Sequence, residues 1–374
     1  MSVRLTGIGL VTGFGQGAHR FWNGLLETAT LPVHDEPDVG PFPIRGIRYT
    51  TPTSPKRLVM LDLALREALA DASLEAVPED ALVMRVGQGP EPGSPPNAAA
   101  AEMLDMWPWR HPLLPASCEQ IHLSHACASA AVAVGFARDW LAADLAEIVV
   151  VAGVSALNGY ENLGMHVSRA LTAGSPLPFD RARSGIVLGD GAGVLILETV
   201  PHAAHRGATS DIEVAGAVSR VAAGDASSSD PDVVTDCTLR AVRQADLATG
   251  PAGTPYIHAH ATGTVQGDAA EIAGLEDLAA RMDWDNVPVS SHKGAIGHLM
   301  HASAFPAVAA GVYTMRERLA PGTSRLSDPE NTHRLHLLAD AVPCNARSVL
   351  VTSFGFAGNS AALVLTHRPE EQPG

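Results

Sequence analysis

Residues 121–152 read IHLSHACASAAVAVGFARDWLAADLAEIVVVA, and this stretch decides the fold. A short apolar strand ends at Ala126-Cys127, and the small residues over about 128–143 predict a helix. The apolar run 147–152 then predicts a buried strand. The stretch is therefore a strand-turn-helix-strand unit that carries a thiol at its first turn.

The same alternation of strands and helices continues in both directions along the chain. Towards the N-terminus it predicts strands over Val3–Val11 and Ala81–Gly87 and helices over His19–Glu27 and Arg57–Ala72. Towards the C-terminus it predicts strands over 256–261, 287–290, 348–354 and 360–366, and helices over 268–280 and 298–316. Continuous apolar strands separated by helices predict an α/β sheet that is covered on both faces.

Composition and charge exclude several classes of function. The 374 residues are 46% hydrophobic and 17% charged, which is typical of a packed globular protein. The net charge of −15 would repel a phosphate backbone, so no nucleic acid partner is expected. No apolar run reaches the roughly 18 residues that a membrane span needs, and the start leads into a strand instead of a signal peptide. We therefore expect a cytoplasmic protein without a membrane partner.

Cys127 is a candidate nucleophile because of where it lies in the predicted unit. Its sulfur would face the N-terminal end of a helix, where the helix dipole lowers the pKa of a thiol. The small residues that flank it leave room for a bulky group on the sulfur. An inert core cysteine is the alternative interpretation, and the stretch alone leaves both open.

Three of the histidines later in the chain draw attention by their position. His258 and His260 alternate along a predicted strand, which allows a metal pair or a single catalytic His260 beside a structural neighbour. A metal site would need more ligands, so none is predicted. His298 lies at a predicted helix start, where the dipole favours the neutral ring. Lys293 precedes it and is one of two lysines among the 25 basic residues.

Several segments together resemble the β-ketoacyl synthase family. His125-Ala126-Cys127-Ala128-Ser129 resembles its nucleophile motif, and His260-Ala261-Thr262-Gly263-Thr264 and Lys293 to His298 resemble its two histidine motifs. The stretch Phe179 to Gly193 is similar to its central hairpin, and Ser353 to Gly358 to its closing glycine-rich strand. Ala261, Asp190, Ala357 and the run His301 to Phe305 depart from the family pattern.

The resemblance implies the fold and the assembly. It predicts a thiolase-like, duplicated αβαβα sandwich of five layers with two mixed sheets. The whole chain, 1–374, would form one ketosynthase unit, with an N-terminal half of about 1–200 that carries the cysteine and a C-terminal half of about 201–374 that carries the two histidines. A homodimer, or a heterodimer with a ketosynthase-like subunit, is expected.

The resemblance also implies roles for individual residues. Cys127 would hold an acyl group, and His260 and His298 would polarise the thioester of a malonyl group so that it loses carbon dioxide. Lys293 and Glu271 would support the histidines. The remaining implied residues are the oxyanion amides of Cys127 and Phe356 and the pocket residues Phe354, Thr262 and Thr264. The acyl groups would arrive on the phosphopantetheine of an acyl carrier protein, without a further cofactor.

Two other functions remain open at this point. The acyl group on Cys127 could pass to an alcohol, an amine or an internal carbon without malonate, as in an acyltransferase or a cyclase. A non-catalytic partner subunit resembling a chain-length factor is the second alternative, although such subunits typically lose the cysteine. For docking of an acidic carrier, the sequence suggests Arg45, Arg48, Arg57 and Arg66.

Overall fold

The computed structural model describes residues 2–36, 44–51, 53, 55–87, 89–94, 98, 109–222, 230–356 and 358–368. Parts of the proline-rich segments that precede Cys127, and Ala357, lie outside these residues. Among the described residues no helix is long and apolar enough to cross a bilayer.

The first half of the chain contains nine strands and five described helices. The strands are β1 (Val3–Thr12), β2 (Gly15–Gln16), β3 (His34–Glu36), β4 (Ile44–Ile47), β5 (Leu82–Val86), β6 (Gln120–Leu123), β7 (Ile148–Ser155), β8 (Leu188–Gly189) and β9 (Gly191–Thr199). The helices are α1 (Ala18–Leu26), α2 (Lys56–Asp71), α3 (Ser129–Ala142), α4 (Gly159–Val167) and α5 (Val200–His205).

The second half contains eight strands and four described helices. The strands are β10 (Ile212–Val221), β11 (Tyr256–His258), β12 (Val287–Ser290), β13 (Leu319–Ala320), β14 (Leu335–Leu337), β15 (Val342–Pro343), β16 (Ser348–Phe354) and β17 (Asn359–His367). The helices are α6 (Pro231–Gln244), α7 (Val265–Met282), α8 (Lys293–Ile296) and α9 (Ala304–Glu317).

The order of the strands repeats between the two halves. In the first half the order is β6-β5-β7-β9-β1, and in the second it is β12-β11-β16-β17-β10 with β14 added at the edge. β9 in the first half and β17 in the second run antiparallel to both of their neighbours, whereas the other neighbouring strands within each half are parallel. The two halves therefore have one topology, although no repeat is visible in the sequence.

The predicted pair of sheets is not fully separate. β1 pairs with β10 in antiparallel fashion at Arg4 and Glu213, and this joins the two halves into one twelve-stranded sheet. The predicted thiolase-like fold is confirmed, and this one pair of residues links its two sheets. β1 and β10 each lie at the edge of the strands of their own half. Each therefore has unpaired backbone groups that can bond to the other strand.

The layers agree with the predicted five-layer sandwich. Helix α2 packs on β1, β7 and β9 on one outer side, and α6 and α7 cover the strands of the second half on the other. Helices α3 and α9 contact strands of both halves and form the central layer. Close contact explains the glycines of β1, because a Cβ at Gly9 would lie 1.8 Å from the carbonyl oxygen of Ala64 in α2.

Two predicted elements are shorter than expected by three or more residues. The strand expected to reach Ala261 ends at His258, since the amides of His260 and Ala261 donate to the side chains of Glu271 and Thr352 and not to the backbone of a neighbouring strand. The helix expected from His298 begins only at Ala304. Gly297, with a φ of +76°, ends α8, the backbone of His298 bonds to Val187 and Gly189, and the short turn Met300–Ala302 follows before α9.

Candidate active site

One cavity of about 500 Å³ brings together residues from distant parts of the sequence. Seven residues singled out from the sequence border it: Cys127, His260, Thr262, Thr264, His298, Phe354 and Phe356. The segments that carry them follow the carboxyl ends of β6, β11, β12 and β16. Carboxyl ends of parallel strands are where ligand sites in α/β proteins usually form.

Cys127 lies in a tight turn between β6 and α3, and its side chain is 4% exposed. Ala126 takes a left-handed conformation with a φ of +48°. Ser129 holds this turn, since its hydroxyl donates to the Ala126 carbonyl at 2.6 Å and accepts from the His125 amide at 2.8 Å. The structure thus aims the thiol into the cavity from the start of a helix, as the sequence predicts.

The Cys127 thiol is less acidic than the sequence predicts. Burial raises the pKa of Cys127 to about 12, and the nearby Lys293 ammonium only partly opposes this. Removal from water disfavours the thiolate more than the helix end and the lysine favour it. Cys127 is therefore a neutral thiol near pH 7, and any attack by its sulfur requires a group that takes the proton.

Two neutral imidazoles face the same cavity. The rings of His260 and His298 lie 5.5 Å apart at 85° to each other. Burial, aided by the charge of Lys293, lowers the pKa of both histidines well below 6.5. Within the described part of the chain, Nδ1 of His260 and Nε2 of His298 have no hydrogen-bond partner. Each ring can therefore exchange a hydrogen bond or a proton with a bound molecule.

His298 is held by a hydroxyl and not by a helix start. Its Nδ1 lies 2.8 Å from Oγ of Ser303, and a hydroxyl that donates there leaves the ring proton on Nε2. The neutral state follows from burial, because α8 ends before His298 and α9 begins after it. The prediction of a neutral ring stands, but the helix dipole is not its cause.

Lys293 and Glu271 act on the backbone of His260 from two sides. Lys293 Nζ donates to the His260 carbonyl, and Glu271 accepts from the amides of His260 at 2.8 Å and Ala261 at 2.7 Å. Thr352 also donates to Glu271, at 2.6 Å. Among the ion pairs of the described residues none joins Lys293 to Glu271 directly. The two residues fix a histidine that lies beyond the end of its strand.

The predicted oxyanion amides border the cavity together. Gly355 packs against the nucleophile turn so closely that an added Cβ would lie 3.1 Å from the Cys127 nitrogen. Asn359 holds the neighbouring peptide, because its side-chain amide donates to the Phe356 carbonyl at 2.7 Å. Cys127 and Phe356 thus border the same cavity, and the oxyanion role of their amides stays a prediction.

His258, the second residue of the His-x-His pattern, points away from the cavity. It is fully buried, and its two ring nitrogens contact Tyr256 and His292. His258 and His260 thus do not share one site. No group of three or more histidine, cysteine or acidic residues that could hold a metal ion occurs within the described residues.

Sequence reasoning missed a buried acid beside the nucleophile. Glu161 on α4 is 7% exposed, and its Oε1 lies 3.7 Å from Nε2 of His301 without a hydrogen bond. Burial raises the pKa of Glu161 to about 7, and its charge in turn raises the pKa of Cys127. Glu161 is 34 residues from Cys127 in a helix without a recognisable motif, so no sequence signal marks it.

Removing this carboxylate should make Cys127 more acidic. We expect Glu161→Gln to raise the rate of Cys127 alkylation at pH 9 by about three- to tenfold, since Glu161 is ionised there and opposes the thiolate. At pH 6 Glu161 is largely protonated, so the rates should agree. Peptide mass spectrometry after iodoacetamide treatment measures this, with Asp139→Asn on the exposed face of α3 as the control. Equal rates at pH 9 would contradict the assignment.

Comparisons with known proteins agree with these observations. The family model "Beta-ketoacyl synthase, N-terminal domain" matches residues 117–203, and its C-terminal counterpart matches 213–327. A 3-oxoacyl-[acyl-carrier-protein] synthase 2 of Vibrio harveyi is 29% identical over 97% of both chains. The oxytetracycline polyketide β-ketoacyl synthase 1 of Streptomyces rimosus is 34% identical over 50% of this chain and 44% of its own. The solved ishigamide ketosynthase/chain length factor superposes with a TM-score of 0.78 at 23% identity, over 98% of this chain and 99% of that one.

Proposed function

The chain belongs to the β-ketoacyl synthase family, and on this premise we propose that it condenses an acyl group held on Cys127 with a malonyl group on a carrier protein. One observation carries the proposal. A buried thiol and two neutral imidazoles, each with an unpaired ring nitrogen among the described residues, border one cavity. These groups suit acyl transfer to sulfur and the polarisation of a thioester carbonyl.

In the first half-reaction, the Cys127 sulfur attacks the carrier thioester. Because the thiol is neutral, a cavity imidazole takes its proton and returns it to the departing pantetheine thiol. The carbonyl oxygen becomes negative in the intermediate, and the amides of Cys127 and Phe356 donate to it. The products are an acyl thioester on Cys127 and a free carrier thiol.

In the second half-reaction, His260 and His298 donate to the thioester oxygen of malonyl-carrier. The bond to the carboxylate breaks, carbon dioxide leaves, and the electron pair forms an enolate that the two donors stabilise. The enolate carbon then attacks the Cys127 thioester, and the sulfur departs as a thiolate that takes a proton from water. The product is a β-ketoacyl-carrier, as expected in polyketide or specialised fatty acid synthesis. No metal or organic cofactor is required by this scheme.

The decisive experiment measures both half-reactions of the unmodified protein. We expect acylation of Cys127 by an acyl-carrier and release of carbon dioxide from malonyl-carrier, with a product two carbons longer. Intact-protein mass spectrometry and trapping of labelled carbon dioxide measure the two steps. Normal acylation without carbon dioxide release, with transfer of the chain to another nucleophile, would favour the acyltransferase or cyclase alternative.

We propose an acyl carrier protein as the partner, with a docking surface that differs from the one suggested by sequence. Three of the suggested arginines pair with carboxylates of this chain: Arg45 with Asp35, Arg57 with Glu91, and Arg66 with Asp62. Arg169, in contrast, is exposed at the cavity wall at the end of α4. It is suitably placed to attract an acidic carrier.

Charge reversal at this arginine should weaken carrier binding. We expect Arg169→Glu to raise the KM for the carrier about tenfold at low salt, with a smaller effect at high salt because the attraction is screened. Steady-state kinetics with carrier-bound substrates measure it. Arg281→Glu on α7 is the matched control, since this arginine is exposed and distant from the cavity. An unchanged KM would place the docking surface elsewhere.

A dimer, with a second copy or a related subunit, is also part of this proposal. β6 forms one end of the sheet and pairs only with β5 among the described strands, so its outer edge can accept another strand. Helix α4 exposes Tyr160, Leu163 and Val167 along one face. A free sheet edge and an exposed apolar helix face each favour association. The cytoplasm remains the proposed location.

A further inference from the structure

A chain of buried polar side chains lies behind the cavity. The Tyr256 hydroxyl lies 2.8 Å from Nδ1 of His258 and 2.6 Å from Oγ of Ser290. Nε2 of His258 lies 2.9 Å from Nδ1 of His292. All four side chains are fully buried, and none of them borders the cavity. The proposed condensation gives them no chemical step.

The two histidines connect the segments that carry the site. His258 is the last residue of β11, two residues before His260, whereas His292 directly precedes Lys293. Their ring planes differ by 10° with centroids 5.2 Å apart, so the hydrogen bond lies close to both planes. This bond therefore links the two segments through side chains where the β11–β12 pairing ends, close to His260 on one side and Lys293 on the other.

Burial of the polar rings of His258 and His292 is energetically unfavourable, and apolar side chains would fill the same space. Burial lowers the pKa of His258 to about 3, so the ring is neutral, and Nε2 of His292 has no hydrogen-bond partner among the described residues. A buried unpaired nitrogen is unfavourable and needs an explanation beyond packing. A directional bond between two flat rings fixes geometry in a way that apolar contact does not.

The position of the Lys293 side chain depends on such a fixed geometry. Its side chain is flexible and almost fully buried, and its ammonium donates to the His260 carbonyl beyond the end of β11. The β11–β12 pairing also joins these segments, with the Ala259 amide donating to the Ser290 carbonyl at 2.8 Å, and Ser291 Oγ donates to the Ala261 carbonyl at 3.3 Å. Loss of the histidine bond would thus loosen the lysine without separating the strands.

We propose that His258 and His292 are positioning residues whose hydrogen bond keeps the Lys293 ammonium on the carbonyl of His260. Through this contact they orient the imidazole of His260 for decarboxylation. The kinetic part of this inference rests on the proposed condensation, whereas the position of Lys293 does not. Two kinds of measurement therefore separate the failure of one from the failure of the other.

The kinetic test is a double-mutant cycle between His292 and Lys293. His292→Leu should lower carbon dioxide release about tenfold, because a buried hydrogen bond is lost, while acylation of Cys127 remains. His292→Asn can still donate or accept a hydrogen bond near the Nδ1 position and should stay within about threefold of the unmodified protein. His202→Leu removes a histidine bond to Glu198 far from the cavity and should change nothing.

In a Lys293→Met background, His292→Leu should have less than about a twofold further effect, since coupled residues are not additive. The same tenfold loss in that background would mean that His292 acts through general packing, and the inference would be wrong. No loss from His292→Leu in the unmodified background would overturn it as well.

The second test does not depend on malonate. The chain has two lysines, Lys56 and Lys293, so lysine side chains labelled with carbon-13 should give two NMR signals. Burial lowers the pKa of Lys293 to about 8, and this identifies its signal in a pH titration. We expect His292→Leu to raise that pKa towards 10.5, as the ammonium reaches water, and His292→Asn to leave it. An unchanged titration in His292→Leu would refute the positioning role, even if the protein never decarboxylates malonyl-carrier.

Discussion

Cys127→Ala should leave the protein unable to lengthen a chain while it still releases carbon dioxide from malonyl-carrier. The variant cannot form an acyl thioester, so condensation should fall by roughly 10³-fold or more, as when other covalent nucleophiles are removed. His260 and His298 remain in the cavity and can still stabilise the enolate, which then takes a proton. Carbon dioxide and acetyl-carrier should therefore appear without a longer product.

The other thiols provide the control for this variant. Cys118, Cys237 and Cys344 are free and buried, and none of them borders the cavity. Cys237→Ala should therefore acylate and condense at the normal rate. An intact-protein mass that still gains an acyl group in Cys127→Ala would show that another residue holds the chain. Loss of carbon dioxide release in a well-folded variant would mean that the thiol itself takes part in decarboxylation.

His298→Ala should fail at the opposite step. Cys127 should still accept an acyl group, but carbon dioxide release should fall by about 10² to 10³, the usual loss when a donor to a developing oxyanion is removed. The physical reason is geometric, since Ser303 holds His298 with its Nε2 beside the cavity and without a partner among the described residues. Trapped labelled carbon dioxide measures the loss, and intact-protein mass spectrometry measures the acylation.

A structural explanation for the His298 result must be excluded separately. His336→Ala is a suitable control because that histidine is exposed on β14, far from the cavity. Melting curves for both variants show whether the fold is retained. If folded His298→Ala loses acylation and decarboxylation to the same degree, His298 is the base that takes the Cys127 proton, and it does not act in the second half-reaction alone.

The sequence predicted most elements and most of the residues around the cavity. β12 and β16 have the bounds that their apolar runs predict, and α3 differs from its prediction by one residue at each end. Such runs are reliable because their periodicity depends on near neighbours. The longer helix predicted from His298 was wrong because the backbone of His298 bonds to Val187 and Gly189, which are distant in the sequence.

The catalytic roles stay predictions, but their setting depends on the whole fold. The motif residues come together because β6, β11, β12 and β16 end at one place. The effect of Glu161 on Cys127 and the bond between His258 and His292 could not be found from the sequence, since each joins groups that are 34 residues apart. Neither lies in a motif or at a spacing that indicates contact.

The sequence by itself determined the alternation of strands and helices, the thiol at a helix start and the order of the histidine motifs. These features follow from local backbone preference and from residue type, which the chain carries in any conformation. Only the tertiary structure decided the repeated strand order, the joined sheet, the contact of Lys293 with the His260 carbonyl and the raised pKa of Cys127. Burial and long-range partners arise only on folding, and they set both the acidity of a group and the contacts available to it.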